Sequence, residues 1–253
     1  RRGADDVAAA AAQLQELNIG ATAVGTGLNA GDDYRERTVS NLARYVGLKL
    51  TPALNLFRVT QSMGDVLAYS GAMRRLAVEL GKVASDLRLL SMGPPAGIAE
   101  LVLPAVQPGS SIMPGKVNPS VPEMVNQVCF QVMGCDTTVA IASEAGQLEL
   151  NVMMPVIAWN ALHAPTILRE SMIALRVRTI DGLRVELQRC GRRCEVCRAR
   201  QIKTEGHQER ELDMNSLKQL WSNLRSSLWF VPVLMLIERC SRFDVHCGGR
   251  SDE

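Results

Sequence analysis

Aromatic side chains make up only 4% of the 253 residues, which disfavours a β-sandwich core built on them. Long apolar runs are also missing. The best, Leu228 to Ile237, is about half of the roughly 20 residues that a membrane span requires, and Pro232 interrupts it. A formal charge of +2 is too small to argue for a nucleic-acid partner. No charged start followed by an apolar centre marks a signal peptide, so the expected compartment is cytoplasmic. The chain opens with Arg1 rather than Met, and its natural start is expected upstream. What is plentiful is Ala, Leu, Val and Met within a 47% hydrophobic composition, enough for packed helices around one large core or two ordinary ones.

Seven cysteines are unevenly spread. Cys129 and Cys135 fall in an apolar helical stretch and read as buried thiols, whereas Cys190, Cys194, Cys197, Cys240 and Cys247 lie in the last quarter. Without a secretory signal these are not a disulfide framework. Cys194-x-x-Cys197 with His207, His246 or Cys247 offers zinc donors, but no matching second pair follows, so no metal site is expected.

Along the chain, residues 4–17 have helical propensity. Four glycines follow between Gly20 and Gly31, with Thr22, Thr26 and Asn29 among them. No strand precedes them and no Gly-Lys-Ser/Thr follows, so a close-packed turn is expected rather than a phosphate cradle. Residues 32–47 read as an exposed helix ending at Gly47. Tyr69, Met73, Leu76, Leu80, Val83, Leu87 and Leu90 alternate at spacings of four and three, which predicts one core-facing stripe of a long helix.

Six of the eleven prolines fall at Pro94, Pro95, Pro104, Pro108, Pro114 and Pro119 and exclude a continuous helix over 94–119. That segment is long, poor in charge and dense in glycines, hydroxyls, an ammonium and an amide from Gly109 to Asn118, as functional loops are. Ser120-Val121-Pro122-Glu123 then fits a capping box, with Ser120 as N-cap and Glu123 at the third position. An apolar face runs on through Val125, Val128, Cys129, Val132 and Met133 to a break near Gly146. Pro155 can start a further helix, which Pro165 should kink or split. At least three long helices result. From Arg176 to Arg200 the texture changes: eight arginines and no sustained apolar period. A solvated or disordered face accounts for this as well as a nucleic-acid patch does.

Gly109-Ser110-Ser111-Ile112-Met113-Pro114-Gly115-Lys116-Val117-Asn118-Pro119 resembles the signature of the aspartase/fumarase superfamily, in register over eleven positions. The likeness continues at Ala23 to Asn29, at Asp86 to Pro94, and at Asn126 to Phe130. The stretches Asn126 to Phe130 and Ser143 to Val152 are closer to aspartate ammonia-lyases than to class II fumarases. It covers roughly residues 18–182.

The resemblance implies an all-α fold, a long-helix bundle of the aspartase/fumarase type, over 1–182 with its signature loop at 94–119. An Arg- and Cys-rich tail, irregular or disordered, would follow over 183–253. It implies deamination of L-aspartate to fumarate and ammonia through an aci-carboxylate intermediate, without cofactor or metal, in a homotetramer with shared sites. The partner is a small dicarboxylate; neither nucleic acid nor membrane is expected. By position, Ser110 would abstract the proton, activated by loop N–H groups and the nearby cation. Lys116 and Asn118 would bind the substrate carboxylate and the charge that develops on it. Gly109 and Gly115 would let the loop flex, Met113 would support it, and Ser111 would be a loop hydrogen bonder. Glu123 would orient and charge a histidine from another subunit. His163 is not at the matching position and reads as a helix residue.

The sequence departs from the family in two places. The region carrying that histidine is expected to be missing from this chain. From Leu183 onward nothing resembles the family, as a translated frameshift or an incorrect gene boundary would produce. Cys135 stands where Asn is usual, next to Asp136. Class II fumarase chemistry, and a non-catalytic truncated fragment that at most co-assembles with lyase subunits, are therefore the alternatives.

Overall fold

The computed structural model describes residues 2–31, 33–93, 97–107, 109, 112–113 and 116–186. The expected cysteine cluster from Cys190 onward lies outside them, as do Leu228 to Ile237 and most of the arginine run. The described chain forms two compact units: residues 2–62 with 148–150, and residues 63–147 with 151–186.

The first unit contains α1 (Arg2–Gln13), β1 (Glu16–Leu17), α2 (Tyr34–Val46), β2 (Thr51–Pro52) and α3 (Leu56–Gln61). The helix expected over residues 4–17 stops at Gln13, because the next residues are taken up by a parallel pairing of Glu16 with Thr51 and Leu17 with Pro52. Tertiary hydrogen bonds override local propensity here: Thr51 N–H donates to Gln15 O at 3.0 Å and Ala53 N–H to Leu17 O at 2.9 Å. The Glu16 carboxylate accepts from the Leu54 N–H and the Arg58 guanidinium.

The glycine-spaced segment is the expected close-packed turn. Gly25 and Gly27 N–H groups both donate to Ala21 O, at 3.1 and 3.0 Å, so the donors that a phosphate would need are turned inward. Gly25 has φ +96°, and a Cβ there would lie 2.7 Å from the Phe57 backbone. The helix expected over 32–47 is α2, which ends on Gly47 in the left-handed region.

The second unit is a three-helix assembly of α4 (Gly64–Leu90), α5 (Ser120–Glu144) and α6 (Met154–Arg178). A 3-10 turn (Ile180–Gly182) follows α6, and β3 (Leu101–Val102) pairs antiparallel with β4 (Arg184–Val185). Helix α5 packs along both α4 and α6. It buries Val125, Cys129, Val132, Cys135, Val139 and Ala142, one face at helical spacing, and each large side chain contributes about 1.5–3 kcal/mol of transfer free energy.

Three expectations about these helices need correction. The buried stripe of α4 is Tyr69, Ser70, Met73, Ala77, Ala84 and Leu87, whereas Val83 is 45% exposed. The apolar pattern assigned the contact to large residues, but helices approach through the alanines and through Gly81, whose absent Cβ would sit 3.5 Å from the Cys129 Cβ. Pro165 neither splits α6 nor ends it. One helix runs through it, with Ala164 and Leu168 buried on either side, although Pro165 has no N–H to donate to the Ala161 carbonyl. The capping box does not form either. Ser120 is already the first helical residue, Pro119 occupies the cap position, and the Ser120 hydroxyl lies 3.5 Å from Asn118 O.

Two buried amides fix the helices against one another. Asn126 on α5 donates to Gly81 O at 2.9 Å and to Ser85 Oγ at 3.0 Å. Asn151, 1% exposed between α5 and α6, donates to the Ala142 and Ser143 carbonyls at 2.9 and 3.2 Å and accepts from Met153 N–H at 2.8 Å. It thereby satisfies carbonyls that the end of α5 leaves open. Replacing Asn126 by Leu removes both donors and crowds Gly81. The expected loss is about 2 kcal/mol of stability, read from the urea midpoint of the second unit by helical circular dichroism.

Candidate active site at the signature loop and the α4–α5 joint

Described residues of the loop show how it turns. A Cβ on Gly109 would lie 2.8 Å from the Lys116 carbonyl oxygen, so the chain doubles back and sets residue 109 against residue 116 at a distance only glycine tolerates. Lys116 N–H donates to Met113 O at 3.1 Å, closing a tight turn within that excursion. Lys116 is exposed, Met113 is half exposed and Asn118 is half-buried on the approach to α5. Ser110, Ser111 and Gly115 lie outside the described residues.

Glu123 stands in the first turn of α5, where the positive end of the helix dipole favours a carboxylate. It faces α4: its Oε1 lies 3.7 Å from an Arg88 guanidinium nitrogen, with both side chains about two-fifths exposed. Arg88 also donates to Asn126 Oδ1 at 3.4 Å. Its Nε is buried without a hydrogen-bond partner among the described residues. Glu123, Arg88, Asn126, Gly81 and Ser85 are thus linked across the α4–α5 joint directly behind the loop. Further along the same joint, Arg74 Nε reaches Asp136 Oδ2 at 3.2 Å, and Asp136 is almost fully buried with Oδ1 unmatched among the described residues.

Sequence pattern alone does not mark Arg88, Asn126, Asn151 or Asp136 as site or joint residues. The one signal is a polar residue within an apolar helical face: Asn126 lies beside Val125 and one turn from Cys129. Burial pushes the Cys129 thiol up to about 11 and the Tyr69 hydroxyl well above its ordinary value. His163 is in α6, as expected, and stacks on Trp159 with ring centroids 6.0 Å apart. Among the described residues no group of His, Cys, Asp or Glu comes together as a metal site, and no helix is long and apolar enough to cross a membrane.

A family model described as lyase matches residues 2–134. The chain belongs to this lyase family. Its curated relatives include aspartate ammonia-lyases from Helicobacter pylori, Pseudomonas aeruginosa and Escherichia coli. Each is 49% identical over 177 residues, which is 70% of this chain and 37–38% of the relative. The chain therefore spans little more than a third of the length of the lyases it matches. Among solved structures, fumarate lyase:delta crystallin from Brucella melitensis superposes with TM-score 0.74 at 46% identity, over 76% of this chain and 42% of that one. Class II fumarase from Schistosoma mansoni gives 0.72 at 34% identity, over 76% and 43%. The all-α lyase-type bundle that the signature implied is the fold observed.

Cys129 lies one turn from Asn126 on the buried face of α5, where thiol reagents report whether that face opens. With a thiol pushed up to about 11, only about one molecule in a thousand is thiolate at pH 8. Cys129 is therefore expected to stay unalkylated by iodoacetamide in the folded chain and to react fully in guanidinium, read by peptide mass spectrometry.

Proposed function

We propose that this chain carries one wall of an aspartate ammonia-lyase site, in which L-aspartate loses ammonia to give fumarate. The observation that carries the reading is the 49% identity to aspartate ammonia-lyases over 177 residues, a stretch long enough to include the signature loop. In this reading Ser110 removes a proton from the carbon next to a carboxylate. Lys116 and Asn118 hold that carboxylate as negative charge develops on it, and loop N–H groups complete the donor set. A free serine is too weak a base at neutral pH, so the loop must be folded around it before it can act. Glu123, kept in place by Arg88, is left to orient a histidine from a neighbouring subunit.

A homotetramer with shared sites fits the outer faces of the bundle. Phe130 and Ile141 stand three turns apart on one face of α5, 62% and 65% exposed. Trp159 and Val177 stand five turns apart on one face of α6, 69% and 48% exposed. Gly134 and Thr137 separate the first pair and Glu170 the second, so these are single apolar side chains that a covering helix could bury rather than continuous stripes.

Two further readings have a specific observation behind them. The class II fumarase match favours malate and fumarate as substrates, and assaying L-malate beside L-aspartate separates the two chemistries. The matched stretch is 38% of a relative, and for the chain as it stands the second reading is co-assembly with other lyase subunits.

With L-aspartate, fumarate formation is expected to be followed by its ultraviolet absorbance, and Ser110→Ala to lower kcat by about 100-fold or more. Lys116→Met should weaken kcat/KM through lost carboxylate binding. Turnover unchanged by Ser110→Ala removes that serine from the role of base. An ordinary rate from the purified chain alone removes the co-assembly reading.

A further inference from the structure

The signature loop is tied down at both ends, and only one of the ties is visible as sequence pattern. Its second limb runs directly into α5. Its first limb, Glu100 to Pro104, has no helix of its own. Instead, Leu101 and Val102 pair with Val185 and Arg184, and Glu186 N–H donates to Glu100 O at 2.8 Å. Glu100 N–H donates in turn to Leu90 O at 3.0 Å, at the last residue of α4. Gly182 closes the arrangement, since a Cβ there would lie 2.7 Å from Pro104 Cγ, part of a stiff ring. Residues 180–186 are themselves held to the end of α6. Thr179 is 2% exposed, the 3-10 turn packs on α6, and Arg176 Nε lies 3.9 Å from Asp181 Oδ2.

From Pro104 only five residues of chain lead to Gly109, which rests against the Lys116 carbonyl. We propose that residues 180–186 are a positioning element for the signature loop: they pin its first limb, Glu100 to Pro104, from which the chain leads on to Gly109. The main-chain donor of Glu186 and the missing side chain of Gly182 are the parts that act. This places a site-supporting role in a segment that lies some sixty residues beyond the loop in sequence. It concerns the loop's order and does not rest on the reaction, so its test is read without substrate.

The test compares amide hydrogen exchange in the full chain with that of Glu186→Pro, Glu186→Ala and Gly182→Ala. Glu186→Pro deletes the donor to Glu100, while Glu186→Ala keeps it and removes only the carboxylate. Gly182→Ala leaves every hydrogen bond in place but forces Pro104 to move. Exchange across 100–107 is expected to quicken roughly tenfold in Glu186→Pro and in Gly182→Ala, to remain unchanged in Glu186→Ala, and to stay slow in α4 and α5 throughout. Should the proline variant lose the slow α4 and α5 amides, Gly182→Ala alone decides. Loop exchange that stays at the parent rate in Gly182→Ala, or that rises equally in Glu186→Ala, overturns the proposal. Loss of turnover with unchanged exchange would instead concern the lyase reading.

Discussion

The close approach of α4 and α5 at Gly81 is the constraint on which the rest of the second unit depends. A Cβ at residue 81 would already stand at contact distance from Cys129, 3.5 Å, so a side chain longer than alanine's would press the helices apart and break the hydrogen bonds that the Asn126 amide makes across the gap. Each such bond adds only about 1 kcal/mol net, whereas a buried amide left unmatched costs about 1–3 kcal/mol. The asymmetry makes Asn126 a register pin: sliding α5 by one turn would strand the amide, and new apolar packing there would not offset the loss. Arg88 reaches Glu123 and Asn126 only because that register is held.

Asp136 shows the opposite balance in the same interface. Its carboxylate is nearly enclosed, one oxygen meets Arg74 and the other meets nothing among the described residues. Arg74 is largely exposed, so solvent screens much of the attraction. A buried charge with a partly hydrated partner is a weak source of stability and a strong source of penalty when that partner is removed. Asn126 and Asp136 therefore act on specificity of packing more than on its strength.

What can be read from the sequence follows from what has a period. Long helices, their breaks at Gly47 and Gly146, and the non-helical segment at 94–119 all appear as spacing or as proline. The stripe on α4 departs from its pattern at Val83 because a sequence displays hydrophobic size, whereas closeness of approach decides burial, and Ala77 and Ala84 carry the contact. Ser120 looks like a cap because its spacing to Glu123 is right. The Glu123 N–H that a Ser120 cap would serve donates instead to Pro119 O at 3.0 Å, so the helix begins one residue earlier and the cap has no donor left to satisfy. In the loop, residue types are legible as chemistry, but the contact of Gly109 with Lys116 is not. It depends on a non-local turn that leaves no repeat in the sequence.

The β3–β4 pairing explains why the change of texture after residue 182 is a poor guide to structure there. Two-residue strands have too little length for alternation to register, and Arg184 and Val185 are both exposed, so nothing marks them as packed. Their contribution is through main-chain groups, which any non-proline residue supplies. A segment can therefore hold a neighbouring loop through backbone contacts whatever side chains it carries. Order beside the site is carried here by hydrogen bonds and by one glycine, while the chemistry proposed for it is carried by side chains on the loop that they hold.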